Sequence, residues 1–381
     1  MNPRSTHIPK PGQINSLVQG DYFLITLSLC MIVKNEEAVL ERILKPMSLA
    51  ADQIIIMDTG STDRTKEIAR RYTQEVYDFP WKDDFAAARN AACEKASMDY
   101  WMWLDADDTV SPETVKQLIK LKESLDPSTD VVMMRYATGF DSKGRTTFSY
   151  YRERILKNHR GFLWQGRVHE AVTPGGNILY SDIEIQHKKE GTGDRDRNLR
   201  IYETMLKEGE KLEPRHQFYY ARELYYHERF SDAIQVLENF LREPDGWIEN
   251  KIDACLHLSY CYDRTGQREH AMMALTKSFV YDIPRAEACC EMGRLKLENG
   301  TLREAVYWYS QALACSPDER SGAFVQKDCY GFLPAIQLCV CYDKLGDPKR
   351  AYYYHKKARN LKPDHEAVKQ NQAYFERILK H

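Results

Sequence analysis

The sequence predicts two architectures in one chain, an α/β domain on a mostly parallel sheet followed by an all-α domain of helical repeats. Three observations predict it. Short β-rich apolar runs alternate with helical segments from Phe23 to about Asp130, strand signals vanish after about Gly193, and one turn-into-helix pattern recurs four times in the second half. The expected divisions are a tail over residues 1–22, an α/β domain over 23–205 and a repeat domain over 206–381.

Met1 to Gly20, with three prolines among scattered polar residues, reads as a mobile tail. Leu24–Val33, Gln53–Met57, Glu75–Phe79 and Tyr100–Leu104 are rich in β-branched, aromatic and apolar residues and read as strands. Between them Glu36–Leu49, Thr62–Tyr72 and Asp84–Ala96 carry helix periodicity, the second preceded by the capping cluster Ser61-Thr62-Asp63. Strand followed by helix in this alternation builds a parallel sheet. Val131–Phe140 and Thr147–Leu156 read as further strands joined by the turn Asp141-Ser142-Lys143-Gly144.

The second half repeats itself. Ala233, Ala271, Ala305 and Ala351 each follow a polar turn, at steps of 38, 34 and 46 residues, and Pro244, Pro284, Pro317 and Pro363 recur 11 to 13 residues after them. A small residue lets paired helices approach, and a proline ends the second helix. From about Pro214 to His381 this pattern resembles tetratricopeptide repeats, with the long third step implying an insertion near Asp318 to Gly331. The array implies a surface for a peptide or protein partner, and it also offers one for homodimerisation.

Composition narrows the function classes. With 54 Lys+Arg against 56 Asp+Glu there is no basic excess to meet a nucleic acid. The ten cysteines lack Cys-x-x-Cys spacing, and eight lie within apolar helical patterns, as expected of free thiols in a cytoplasmic protein. The longest apolar stretch, Tyr22 to Val33, is too short for a membrane span, and no signal peptide is expected.

The chemistry is expected at the carboxyl ends of the strands, where open α/β sheets bind ligands. Asp105-Ala106-Asp107 directly follows the apolar run Tyr100–Leu104, with a third carboxylate at Asp108. Crowded negative charge there calls for a cation, and a divalent metal holding a diphosphate fits; a solvated turn leading to a helix cap is the alternative for this tripeptide alone. Two more polar loops fall on the same edge, Val33-Lys34-Asn35-Glu36-Glu37 and Asp58-Thr59-Gly60-Ser61-Thr62-Asp63. In the second, Gly60 permits a tight turn that lets Asp58 accept from a base N–H or ribose hydroxyls.

In this order the three loops resemble family 2 glycosyltransferases of the GT-A, Rossmann-like fold. Trp81 to Asn90, Gly166-Arg167-Val168-His169-Glu170 and His187 tighten the resemblance to the subgroup of bacterial peptide S- and O-glycosyltransferases of the sublancin type, over roughly the first two hundred residues. The resemblance implies a nucleotide-sugar pocket with Val33, Asn35, Glu36, Asp58, Ser61, Arg89, Asp105 and Trp164. It places Arg89 at the diphosphate or in a salt bridge that shapes the pocket, and Trp164 at the sugar or in the core. The implied metal ligands are Asp107 first, Asp105 shared with ribose, and His187, for Mn2+ or Mg2+. Glu170 is the expected base that takes the acceptor's proton, with His169 as the alternative base or as the residue that holds Glu170.

The expected function is therefore a metal-dependent inverting glycosyltransferase that moves a hexose from a nucleotide sugar, UDP-linked by resemblance, to a Ser, Thr or Cys side chain of a peptide or protein. Two alternatives stand beside it at this point: a cell-surface saccharide acceptor, and a non-catalytic repeat adaptor that senses a nucleotide sugar.

Overall fold

Strand β1 (Leu27–Val33) explains the first domain, because it is buried along nearly its whole length, with Ser28 its one polar residue, and lies inside a sheet covered on both faces. A computed structural model describes residues 24–141, 144–188, 194–318 and 320–378; the expected tail and Ser142-Lys143 of the expected turn lie outside the described residues. Leu27, Leu29, Met31 and Val33 enter one core, with helices α1 (Leu40–Met47) and α4 (Pro112–Ser124), whereas Cys30 and Ile32 enter the other, against α3 (Phe85–Cys93). This is the two-residue period of a strand buried on both sides.

The sheet has eight strands: β2 (Gln53–Asp58), β3 (Val76–Asp78), β4 (Tyr100–Trp103), β5 (Asp108–Thr109), β6 (Val131–Phe140), β7 (Thr146–Lys157) and β10 (Ile178–His187) join β1 in the order β3-β2-β1-β4-β7-β6-β10-β5. Strands β1 to β4 pair in parallel, β6 and β10 likewise, and the remaining contacts are antiparallel. The expected α/β domain on a mostly parallel sheet is what forms. From β1 the chain goes to β2 on one side and later to β4 on the other, so a crevice opens beyond their carboxyl ends. The register Val33↔Asp58 and Cys30↔Trp103 brings all three polar loops to that crevice. A separate ribbon, β8 (Trp164–Gln165) with β9 (Ala171–Val172), brackets Gly166 to Glu170.

Two helices are shorter than their periodicity predicts. Helix α1 begins at Leu40 rather than Glu36, and α2 covers only Thr65–Ala69. The amides of Glu36 and Glu37, which would open the first, donate to Thr65 Oγ1 (2.7 Å) and Asp63 Oδ2 (3.2 Å), so these residues lace two loops together. The cluster Ser61-Thr62-Asp63 is likewise spent on the loops, and α2 starts at Thr65.

From α5 (Arg197–Lys207) onward the described chain is helical. Four pairs follow, α6 (Pro214–Tyr226) with α7 (Phe230–Phe240), α8 (Ile248–Arg264) with α9 (Arg268–Lys277), α10 (Ala286–Glu298) with α11 (Leu302–Ala314) and α12 (Phe332–Lys344) with α13 (Pro348–Leu361), before α14 (Glu366–Ile378). The repeat alanines at 233, 271, 305 and 351 are all fully buried, each in a second helix. The four prolines lie in the segments after those helices. The division expected at 205/206 falls inside α5, whose buried Leu199, Ile201, Tyr202 and Met205 pack with the repeats.

The two halves meet where Gly166 to Glu170 docks on α6. Gly166 has φ +98°, and a Cβ there would lie 2.3 Å from His216 Cε1. Glycine is therefore required twice over, for conformation and for close approach. Gly166→Ala should cost about 1–3 kcal/mol of local stability. Hydrogen exchange at the Phe85 amide, which donates to Arg167 O, should accelerate while α8 to α13 keep their protection; unchanged exchange would refute the docking role.

Candidate functional site

The crevice is built from three strand ends and one docked loop. After β1, Asn35 (φ +55°) accepts from the Thr62 amide at 2.8 Å and donates its own amide to Ser61 Oγ at 2.9 Å. Asn35 and Ser61 thus tie the first two loops to each other. Asp58 at the end of β2 is fully buried, with Oδ1 accepting from Gly60 N (3.0 Å) and Ser61 N (2.9 Å). Its Oδ2 is buried with no protein partner. A lone carboxylate oxygen in that position is costly unless a donor reaches it, and a ligand's N–H or hydroxyl supplies one. Val33 holds the same corner through its carbonyl, which accepts from Thr59 N and Oγ1.

After β4 the three consecutive carboxylates separate. Asp108 turns inward: Oδ1 accepts from Tyr136 Oη at 2.9 Å, and Oδ2 accepts from Asp105 N at 3.0 Å and Arg154 Nη1 at 3.3 Å. Asp108 and Arg154 are both 0% exposed, and the guanidinium lies between Trp103 (3.8 Å) and Tyr136 (4.2 Å). Breaking such a pair by removing one partner typically costs about 3–5 kcal/mol, because the other charge is left buried alone.

Asp107, Asp108 and His187 bring ligand atoms within 4.8 Å of one another. His187 Nδ1 lies 3.3 Å from Asp107 Oδ1 and 3.4 Å from Asp108 Oδ1. Two carboxylates and an imidazole are a donor set that suits a divalent cation such as Mn2+ or Mg2+, and these residues fit one. The third expected ligand, Asp105, is not in this trio; Asp108 takes that place. Asp105 Oδ1 instead accepts from Arg89 Nη2 at 2.7 Å, because the buried pair pins the turn with Asp105 facing the guanidinium. Hydrogen bonds from Asp107 and Asp108 push His187 up to about 10. Glu36 is pushed up to about 7, by burial first and then by Asp107 and Asp105, so it too lies in this negative field.

Arg89 links the strand end to the docked loop. Nε donates to Glu170 Oε1 at 2.6 Å while Nη2 holds Asp105. Burial works against its charge, but Asp105 and Glu170 outweigh that and raise it. Its guanidinium stacks over Trp103 and Trp164, at 5.0 and 4.8 Å. Of the two expectations for Arg89, the geometry realises the salt bridge. Trp164 is 3% exposed and forms part of that stack, so it sits in the core rather than on an open sugar face. His169 is drawn the other way: Nε2 meets Glu223 Oε1 of α6 at 2.8 Å, and the ring stacks on Tyr219 with centroids 4.5 Å apart.

Sequence reasoning did not pick out Arg154, Tyr136 or Asn90. Asn90 Nδ2 donates to Trp164 O (3.0 Å) and its Oδ1 accepts from Trp164 N (2.9 Å), clamping β8 to α3. A signal for Arg154 was present, since Arg152-Glu153-Arg154 puts three charges between Tyr150-Tyr151 and Ile155-Leu156 of one strand.

Comparison with known proteins finds similarity in both halves of the chain. Residues 28–182 match the family model for glycosyl transferase family 2. The SPbeta prophage-derived glycosyltransferase SunS of Bacillus subtilis is 26% identical over 232 residues, covering 56% of this chain and 52% of that protein. A TPR repeat-containing protein of Synechococcus elongatus is 27% identical over 291 residues, 75% of this chain and 56% of its own length. The chain spans about half the length of these curated relatives. Among solved structures, glucosyl-3-phosphoglycerate synthase from Mycobacterium tuberculosis, in complex with Mn2+ and UDP-glucose, aligns with TM-score 0.35 and 16% identity over 49% of this chain and 80% of that one.

A pH dependence follows for His187. Its metal-free value of about 10 lies above that of a free imidazole, so the proton is held at neutral pH, and the ion pair's stabilisation, complete below the free imidazole value, is lost progressively as pH rises to about 10. A metal ion must displace that proton. At about pH 8.5, where Glu36 is already ionised, Mg2+ binding should release close to one proton, detected by calorimetry in two buffers of different ionisation enthalpy. His187→Gln should bind Mg2+ more weakly and release none; equal release by both chains would remove His187 from the site.

Proposed function

We propose that this chain, which over residues 28–182 matches family 2 glycosyltransferases, is a metal-dependent inverting enzyme moving a hexose from a UDP-linked sugar to a Ser, Thr or Cys side chain of a peptide or protein. The observation that carries this reading is the convergence on one crevice of the unpartnered Asp58 Oδ2, the Asp107, Asp108 and His187 cluster, and Glu170. An adaptor has no need of that combination.

In this reading Asp58 accepts from the base or ribose, and the laced loops carrying Val33, Asn35, Glu36 and Ser61 form the nucleotide wall. Asp107 and His187 hold the metal with Asp108 behind them. A divalent ion, when bound, neutralises the departing diphosphate. Arg89, itself held by Asp105, fixes Glu170 in position beside the acceptor. As the acceptor's oxygen or sulfur forms its bond to the anomeric carbon, its proton passes to Glu170, and the sugar–phosphate bond breaks with its electron pair going to UDP. One carboxylate base without a second nucleophile gives inversion.

His169 is a positioning residue here, since its Nε2 is already engaged by Glu223. The repeats, which supply Glu223 and Tyr219, thereby set the base and present the acceptor in the same act. The chain is proposed to act in the cytoplasm, where nucleotide sugars are made; no helix among the described residues is long and apolar enough to cross a membrane.

The decisive test is nucleotide release from a panel of UDP- and GDP-sugars with Mn2+ or Mg2+, followed by mass spectrometry. Release from one donor that stops with chelator is expected, and the absence of both release and donor binding would sink the proposal. Asp107→Ala should lose metal-dependent UDP binding. Glu170→Gln should keep UDP binding yet lose transfer by about 10²–10⁴-fold. Normal transfer by that variant would return the base to His169.

A further inference from the structure

The third repeat step is longer than the others because an insertion follows α11, and its described part does not loop away from the protein. Residues 320–326 run without regular structure across α6, α8 and α10, the first helices of three successive pairs. Ala323, Phe324 and Val325 line a cleft together with Ile252, Asp253 and Ala288. Val325 is 7% exposed. The Phe324 ring lies under the Arg222 guanidinium at 4.5 Å. The backbone takes part as well: the Gln326 amide donates to Glu287 Oε1 at 2.8 Å, and Gln326 is extended (φ −86°, ψ 90°). The insertion's far end is anchored by Tyr330 Oη, which donates to Glu287 Oε2 at 2.8 Å, and by Cys290 Sγ against Cys329 O.

This segment also reaches the catalytic domain. Phe324 packs edge-on to Tyr150 of β7 with centroids 6.0 Å apart, Tyr150 packs on Tyr136 at 5.7 Å, and Tyr136 donates to Asp108. Arg320 stacks over Tyr180 of β10 at 5.5 Å. The groove that 323–325 line beside α8 and α10 thus ends against β7 of the first domain, where Phe324 meets Tyr150.

We infer that residues 323–326 are a built-in occupant of the acceptor groove, and that the acceptor is an extended peptide which replaces them by placing an aromatic side chain under Arg222, an aliphatic one in the Val325 position, and a backbone amide on Glu287. The segment itself shows the chemistry the groove accepts. The inference rests on the proposed transferase reading for the word acceptor, but the groove and its exchange stand on the contacts alone. The exchange is mass action: a filled groove lowers apparent affinity by the fraction of time that it is open.

The test uses the full chain and a fluorescein-labelled heptapeptide carrying the sequence of residues 320–326, followed by anisotropy without any sugar donor. The variant A323G/F324S/V325G, in which the occupant loses its side chains, should bind this probe at least about tenfold more tightly than the parent. The gain should vanish for a probe whose Phe is replaced by Ala. Equal affinity of both chains for the probe, or a gain that the Ala probe keeps, would overturn the inference, provided circular dichroism shows both chains folded. If the triple variant does not fold, F324A alone removes the Arg222 contact and must show the same direction. UDP titration of both chains is run alongside. Loss of UDP binding in the parent would sink the transferase reading without touching the peptide result.

Discussion

The buried pair of Arg154 and Asp108 is the constraint on which the crevice depends. Arg154 comes from β7, antiparallel to β4, and Asp108 opens β5 at the far edge of the sheet, so the pair ties the chain leaving β4 to the mixed wing. Taking both charges out of water costs several kcal/mol each before any return, and hydrophobic replacements of the same volume are often no less stable. What the pair supplies is direction. With Asp108 Oδ2 holding the Asp105 amide, the turn has one shape, in which Asp105 faces Arg89 and Asp107 faces His187. Two adjacent carboxylates are thereby given different partners on one short turn.

That division was beyond the sequence. The run Asp105 to Asp108 declares a negative strand end, but which of its carboxylates meet His187 and which meets Arg89 depends on a residue 46 positions downstream, and nothing local encodes it. Strands β1, β2 and β4 were legible for the opposite reason, since a strand covered on both faces must be almost wholly apolar, and Leu27–Val33, apart from Ser28, and Tyr100–Trp103 are. The first helices were overextended because Glu36, Glu37, Thr62 and Asp63 have helix-compatible spacing while their amides and side chains serve the loops. Trp164 looks alike as a ligand platform or as core, and only Arg89 and Asn90 decide between them.

The repeats divide in the same way. Buried alanines at a near-constant step and a proline after each pair are local signals, and they survive into the fold. The 46-residue step announced extra chain, but not that residues 320–326 return along α10 and touch β7. Contacts of that kind are set by two surfaces that meet only after both have folded. His169 is another case. Its neighbour Glu170 is an ordinary candidate base from sequence, whereas the bond from His169 to Glu223 requires knowing where α6 lies.

The docking of Gly166 to Glu170 on α6 has a consequence for how the molecule comes into being. A chain emerging from the ribosome delivers its strands and the loops at their carboxyl ends first, yet the segment bearing Glu170 finds its seat on His216, Tyr219 and Glu223 only when the next helices appear. A nascent or prematurely ended chain can therefore fold its strand-end loops before the segment bearing Glu170 is secured. On the proposed transferase reading, completion of translation is then also what completes the base.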